Sequence, residues 1–195
     1  MRFFSYSRVA LVSTCLIIGL SAAVFMAQQR PANPPAAGSG QSPVERGKYL
    51  VLVQDCNGCH TPFKNGEPDM TRMLSGHPQD AAQITAAPKL PEGWVTAIST
   101  TNTGWSTPAG VAFTTNLTPD KATGIGGWTD ETFINAIRKG KHLGLASGRD
   151  ILPPMPWKMY SNLTDADLKA IFAYLKTVPA ISNKVPNPIL PAGKK

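Results

Sequence analysis

Residues 55–62 read DCNGCHTP, so two cysteines stand three positions apart and a histidine directly follows the second one. A Cys-x-x-Cys pair occurs in structural zinc sites, in thioredoxin-like dithiols and at sites of covalent haem attachment. The chain has three cysteines, and the remaining one, Cys15, lies in an apolar run near the N-terminus. Cys56 and Cys59 are therefore the only cysteines of the main domain, which excludes a scaffold held by several disulfides.

The zinc and dithiol interpretations lack the surroundings that they require. A structural zinc site needs four Cys or His ligands, and His60 adjoins Cys59 too closely for both to share a tetrahedral metal. His77 and His142 would have to supply both remaining ligands, without the usual second pair at short spacing. A thioredoxin-like dithiol lies near a βαβ unit, and no alternation of strands and helices surrounds this motif.

Covalent haem attachment uses all the functional residues of the motif. The thiols of Cys56 and Cys59 would each add to one vinyl group of the haem, and the imidazole of His60 would bind the iron from the same turn of chain. The attachment takes place outside the cytoplasmic membrane, so it also requires export. The motif therefore predicts one covalently bound haem c, with His60 as an axial iron ligand.

The second axial ligand is expected to be a methionine, because a thioether opposite histidine keeps the iron six-coordinate and raises its potential. Met155 lies in ILPPMPWKMY (residues 151–160), where a proline on either side restricts the backbone. We expect Met155 to be this ligand. Met159, His77 and His142 are the alternatives, and ligation by two histidines would lower the potential.

The N-terminus has the composition of an export signal. Arg2 and Arg8 precede a mainly apolar run over residues 9–27, and a segment rich in Pro, Ala, Gly and Ser follows. The run is longer than the apolar part of a usual signal peptide and reaches the lower limit for a membrane span. Residues 1–27 are therefore predicted to be a signal peptide or an N-terminal membrane anchor, and residues 28–43 a flexible linker.

The charge of the chain favours a protein partner. The formal net charge is +7, and 16% of the residues are charged. A moderate positive excess suits docking to an acidic protein surface. Nucleic acid is not expected as a partner, because no dense cluster of Lys and Arg and no basic helix appears.

Three helices are predicted from periodicity and capping residues. The first covers residues 44–53. The second follows Thr129 as N-cap and ends at Gly140, and the third follows Thr164 and ends before Pro179.

A long segment poor in helix signals separates the first helix from the second. Within it, GWVTAISTT (93–101) and GVAFTTN (110–116) are rich in β-prone residues, and we expect them to pair as a hairpin. Such a long segment is usually functional or a decorated loop.

CNGCH (56–60), PPMPW (153–157) and LKAIFAYLKTVP (168–179) together resemble class I cytochrome c. The string FTTNLTPDKATGIGGWTDETFINAIRKG (113–140) is similar to the cytochrome modules of membrane-bound bacterial alcohol and gluconate dehydrogenases. Those subunits typically carry three haem motifs, whereas this chain has one. The stretch over residues 70–108 is also longer than a minimal cytochrome requires.

The resemblance implies a mainly α fold of the class I cytochrome c type. Three core helices would surround one covalently bound haem, with a long β-containing insertion after the haem motif. The domain would cover residues 44–183, and residues 184–195 would be a C-terminal tail. The helix that carries Gly47 would cross the last helix near Tyr174. Trp128 and Trp157 flank helices that would line the haem, so either indole could contact a propionate.

The function implied is that of a one-electron carrier in the bacterial periplasm, tethered to the cytoplasmic membrane if the N-terminal segment is an uncleaved transmembrane anchor. The carrier would accept electrons from a dehydrogenase or a quinol-oxidising complex and pass them to a terminal oxidase or another cytochrome, with no substrate chemistry of its own. It could also be an obligate electron-transfer subunit of a dehydrogenase. The alternative from another class is a haem enzyme or small-ligand sensor whose sixth ligand is absent or displaceable.

Overall fold

The computed structural model describes residues 40–191, which fall within one compact unit. The predicted export segment (1–27) and most of the predicted linker (28–43) lie outside these residues. The described α-helices are α1 (Pro43–Val53), α2 (Cys56–His60), α3 (Asp130–Lys139), α4 (Trp157–Tyr160) and α5 (Asp165–Leu175). Within residues 40–191, no helix has the length and apolar character needed to cross a membrane.

The three predicted helices form, and their ends follow local side-chain chemistry. Helix α1 begins at Pro43, one residue before the prediction, because proline suits the first helical position and Ser42 and Glu45 form a capping box. Helix α3 has Thr129 as N-cap and Gly140 in the left-handed conformation after its last turn. These contacts satisfy backbone groups that a helix end leaves unpaired.

Helix α5 ends earlier than the sequence suggests. Its N-cap is Thr164, as predicted, but its last residue is Leu175 rather than a residue next to Pro179. The hydroxyl of Thr177 donates to the carbonyl oxygen of Tyr174 at 2.7 Å. This local hydrogen bond, together with the bias of the residue before a proline against helical geometry, favours an early end.

Helix α1 packs closely on helix α5. A Cβ atom at Gly47 would overlap the carbonyl oxygen of Ala170 and lie 2.8 Å from the Cβ of Tyr174, so only glycine permits this approach. The expected crossing near Tyr174 is therefore confirmed. Leu50 and Val51 of α1 join a buried cluster that also contains residues of α3 and α5: Phe133, Ile137, Leu168, Ile171, Phe172 and Leu175.

The insertion between α2 and α3 contains two small antiparallel sheets. One pairs β1 (Phe63–Lys64) with β2 (Glu67–Pro68), and the other has the order β3 (Ala97–Ile98), β4 (Gly104–Thr107), β5 (Gly110–Phe113). A β-containing insertion is therefore confirmed, but the predicted partners are wrong. Strand β4 lies between the two β-prone runs, because the chain turns back through Asn102 in the left-handed conformation.

The C-terminal segment returns to the insertion and closes the fold. Val111 and Ile189 exchange two backbone hydrogen bonds of 2.8 and 2.9 Å, so residues near 189 run antiparallel to β5. Asn183 is fully buried, and its amide donates to the carbonyl oxygens of Ser75 and His77 at 2.7 and 2.9 Å. The predicted tail thus begins directly after an anchoring residue.

Candidate cofactor-binding site

The haem motif forms a single short helix. Asp55 adopts the left-handed conformation as N-cap of α2, and its carboxylate accepts from the amide of Gly58 at 3.1 Å. Cys56 and His60 are four residues apart and Cys59 is three residues after Cys56, so this turn brings the three side chains toward one side. The amide of Asn102, in the insertion, donates to the carbonyl oxygen of Gly58 at 2.6 Å and fixes the helix from outside.

The imidazole of His60 is buried and oriented. Its Nδ1 lies 2.8 Å from the carbonyl oxygen of Thr115. A carbonyl oxygen can only accept, so Nδ1 carries the proton and Nε2 keeps a free lone pair. Burial lowers the pKa of His60, opposed by the hydrogen bond to Thr115, and the neutral ring is the form that binds metals. A second contact that fixes the ring is a common feature of histidines that ligate a metal.

Both thiols of the motif are protonated at neutral pH. Burial, followed by the negative charge of Asp55, raises the pKa of Cys56 to about 11. The same two causes raise the pKa of Cys59. A thiolate is the form that serves in zinc sites and in dithiol exchange, and a raised pKa makes that form less populated at neutral pH. A neutral sulfur, as in a thioether, suits these surroundings better.

A cavity of about 810 Å³ adjoins the motif. Much of its wall comes from the apolar core, and Phe133, Ile137, Leu168, Ile171 and Leu175 all line it. Its size falls in the range of sites that hold drug-sized ligands and cofactors. The arrangement therefore offers a large apolar chamber with two thiols and one free imidazole nitrogen in its wall.

Five of the six predicted site residues meet at this cavity, namely Cys56, Cys59, His60, Trp128 and Met155. Trp157 is not among the lining residues. Its indole ring instead covers Gly140, where an added Cβ would overlap the ring. Met159, the alternative methionine, does not line the cavity either and is 73% exposed.

Of the two histidines named as alternative iron ligands, one lines the cavity and the other does not. His142 lines the cavity. His77 does not line it and lies buried, with Nδ1 3.0 Å from the hydroxyl of Thr103. Sequence reasoning also missed Thr115 as the partner of His60, because a backbone carbonyl leaves no signal in residue type.

Charged groups at the cavity wall are mostly basic. Lys141, Arg149 and Lys184 line it together with one carboxylate, that of Asp55. Lys141 is paired with Asp150 at 2.6 Å. Burial lowers the pKa of Arg149. The wall therefore favours a ligand that carries negative groups.

Comparison with known proteins gives a consistent result. The cytochrome subunit of a fructose dehydrogenase from Gluconobacter japonicus is 30% identical over 91% of this chain and 29% of its own length. The cytochrome c subunit of a gluconate 2-dehydrogenase from Pantoea cypripedii is 32% identical over 67% of this chain and 22% of its own length. The chain is similar to the cytochrome c subunits of bacterial dehydrogenases.

A third relative agrees with the first two. The cytochrome c subunit of a quinone-dependent alcohol dehydrogenase from Gluconobacter oxydans is 29% identical over 87% of this chain and 28% of its own length. The chain thus spans less than a third of the length of these relatives. No family model matches the sequence. Similarity to cytochrome c subunits confirms the suspected resemblance and implies haem c as the cofactor.

Proposed function

We propose that the chain is a c-type cytochrome that carries one electron at a time on a single covalent haem. Cys56 and Cys59 would form the thioethers, and His60 and Met155 would be the axial iron ligands. The observation that carries this proposal is the imidazole of His60, whose Nδ1–H is committed to Thr115 while the ring lies in the wall of a large apolar cavity beside both thiols.

The residues fit a haem in chemistry and in size. Two neutral thiols suit thioether formation, and a free imidazole nitrogen suits the iron. The cavity of about 810 Å³ is lined mainly by apolar side chains, as the largely apolar faces of a porphyrin ring require. Met155 reaches the same wall from the segment before α4, and it packs against the core cluster.

In this mechanism the protein holds the haem in one orientation and shields it from water. Haem, when bound, supplies an iron couple that gains or loses one electron. Cys56 and Cys59 would hold the macrocycle in one orientation, and Thr115 holds the His60 ring in one tautomer. The apolar wall excludes water, so water would not replace an iron ligand when the iron changes its oxidation state. A thioether ligand from Met155 would raise the reduction potential of the iron.

The proposed fold is that of class I cytochrome c, with α1, α3 and α5 as its three core helices. The contacts of α5 with both α1 and α3, and the core cluster that all three share, support it. The cytochrome domain would cover residues 44–183, with a linker at 28–43 and a tail at 184–195. Residues 1–27 would export the domain to the periplasm as a cleaved signal or an inner-membrane anchor.

The proposed partners are redox proteins. The relatives are named as cytochrome subunits of dehydrogenases, which supports a dehydrogenase as electron donor. A terminal oxidase or another cytochrome would receive the electrons. The net charge of +7 suits docking to an acidic surface.

Spectra of the oxidised holoprotein test this function. A far-red thioether-to-iron band is expected in the wild type and in Met159→Ala, the control at an exposed methionine, and its loss is expected in Met155→Ala. A band that persists in Met155→Ala and disappears in Met159→Ala would contradict our assignment. A high-spin wild-type spectrum with rapid carbon monoxide binding would favour a haem enzyme or sensor instead.

A further inference from the structure

Two buried hydrogen-bond donors in the cavity wall have no partner. Within residues 40–191, three buried side-chain atoms lack a hydrogen bond, namely Trp105 Nε1, Thr114 Oγ1 and Ser75 Oγ. Trp105 and Thr114 line the cavity, whereas Ser75 does not. An unpaired buried donor is destabilising, so its presence in a cavity wall points to an acceptor on whatever fills the cavity.

The register of the second sheet brings the two donors to the same side. Trp105 of β4 stands opposite Ala112 of β5, and opposite residues of a pair share a face. Thr114 is two residues after Ala112, and its amide continues the ladder by donating to the carbonyl oxygen of Thr103 at 2.9 Å. Side chains two residues apart share a face, so Trp105 and Thr114 are diagonal neighbours.

The charges around the cavity indicate an acidic acceptor. Three of its lining side chains are basic and one is a carboxylate, and because Lys141 is paired with Asp150, the other two basic groups are Arg149 and Lys184. One of the basic residues, Lys184, lies on the C-terminal segment that runs antiparallel beside β5. Donors without partners and an excess of positive charge together suit carboxylate groups.

We propose that Trp105 and Thr114 donate hydrogen bonds to the propionate carboxylates of the haem. This inference rests on the proposed function. The rest of the haem rim is hydrocarbon and thioether, so the propionates are its only strong acceptors. The insertion thereby gains a binding role, because its last hairpin supplies the polar contacts for a cofactor that the cysteines hold covalently.

Matched substitutions in the holoprotein test the proposal. Trp105→Phe removes the N–H group and keeps an aromatic ring, and Thr114→Val keeps the shape and removes the hydroxyl group. The controls are Trp94→Phe, at a residue that is 69% exposed, and Ser75→Ala, at the unpaired hydroxyl away from the cavity. The readouts are the propionate bending mode in resonance Raman spectra and the reduction potential.

The propionate mode is expected to shift in both cavity variants and in neither control. Loss of a donor also leaves the negative charge near the iron less compensated, so the reduction potential should fall. If Trp105→Phe does not mature, Thr114→Val still tests the second donor. Cavity variants with covalent haem and a wild-type propionate mode would overturn the inference, and the donors would then hold water.

Haem staining of the denatured wild-type protein distinguishes failure of the proposed function from failure of this inference alone. Wild-type protein without covalent haem contradicts the proposed function, and the inference is then wrong with it. Wild-type protein with covalent haem, combined with unchanged cavity variants, contradicts the inference alone.

Discussion

The Nδ1 atom of His60 lies 2.8 Å from the carbonyl oxygen of Thr115, 55 positions further along the chain. This hydrogen bond spans the whole insertion and joins its end to the haem motif. It fixes the proton on Nδ1 and leaves Nε2 free for a metal. The insertion can therefore be long without disturbing the haem motif, because its C-terminal end, at Thr115, returns to contact His60.

The contact between α1 and α5 predicts the effect of a single methyl group. In Gly47→Ala the added Cβ would overlap the backbone of Ala170, which cannot move without disturbing α5. Overpacking of this kind costs about 2–3 kcal/mol, more than the gain in helix propensity. Gly127→Ala is the control, since no atom lies within 4 Å of the added Cβ. Equal unfolding free energies of the two variants in denaturant would contradict this packing.

The buried amide of Asn183 predicts a second large effect. Besides its two donated bonds, its Oδ1 accepts from the backbone of Gln79 at 2.9 Å and from Arg72 at 3.1 Å. Asn183→Ala leaves these groups unpaired, and we expect the free energy of unfolding to decrease by about 2–4 kcal/mol. Asn162→Ala, at an exposed asparagine whose bonds stay within its own turn, should change it by about 0.5 kcal/mol or less. Similar midpoints of urea unfolding for both variants would show that the Asn183 anchor is not important.

The burial of His77 predicts a pH dependence of stability. Burial lowers the pKa of His77, whose ring also lies 4.6 Å from that of Phe113. The unfolded chain therefore binds a proton at higher pH than the native state, and stability decreases as the pH falls below about 6.5. In His77→Gln this decrease should be shallower, although the lowered pKa of His142 preserves part of it.

Urea unfolding of the holoprotein between about pH 7.5 and 5 measures this slope. Asn162→Ala serves again as the control and should keep the wild-type slope. Parallel curves for the wild type and His77→Gln would mean that His77 does not contribute to the pH dependence.

Sequence reasoning succeeded where the determinants are local. The caps Thr129 and Thr164 and the apolar spacing that follows them specify α3 and α5 with few alternatives. The pairing of β3 with β4 was missed because two- to four-residue strands carry too little periodicity, and their partners are chosen by turns such as the one at Asn102.

Among the cavity residues, too, those marked by local sequence could be predicted and those placed by strand register could not. Met155 could be selected because prolines on either side mark it in the sequence, and it does line the cavity. Trp157 was also selected from the sequence, because it flanks a helix expected to line the haem, but its ring covers Gly140 instead. Trp105 had no local signal, because its role follows from the strand register and from an indole nitrogen without a partner.

Covalent haem attachment is the central claim, and it can be measured directly. After export in a host that matures c-type cytochromes, the wild-type protein should keep its haem in denaturant and acid acetone. Its intact mass should exceed that of the polypeptide by one haem. Haem should become extractable, or be absent, in the double variant Cys56→Ser, Cys59→Ser. A wild-type protein of haem-free mass, with zinc or a disulfide at Cys56 and Cys59, would contradict the account.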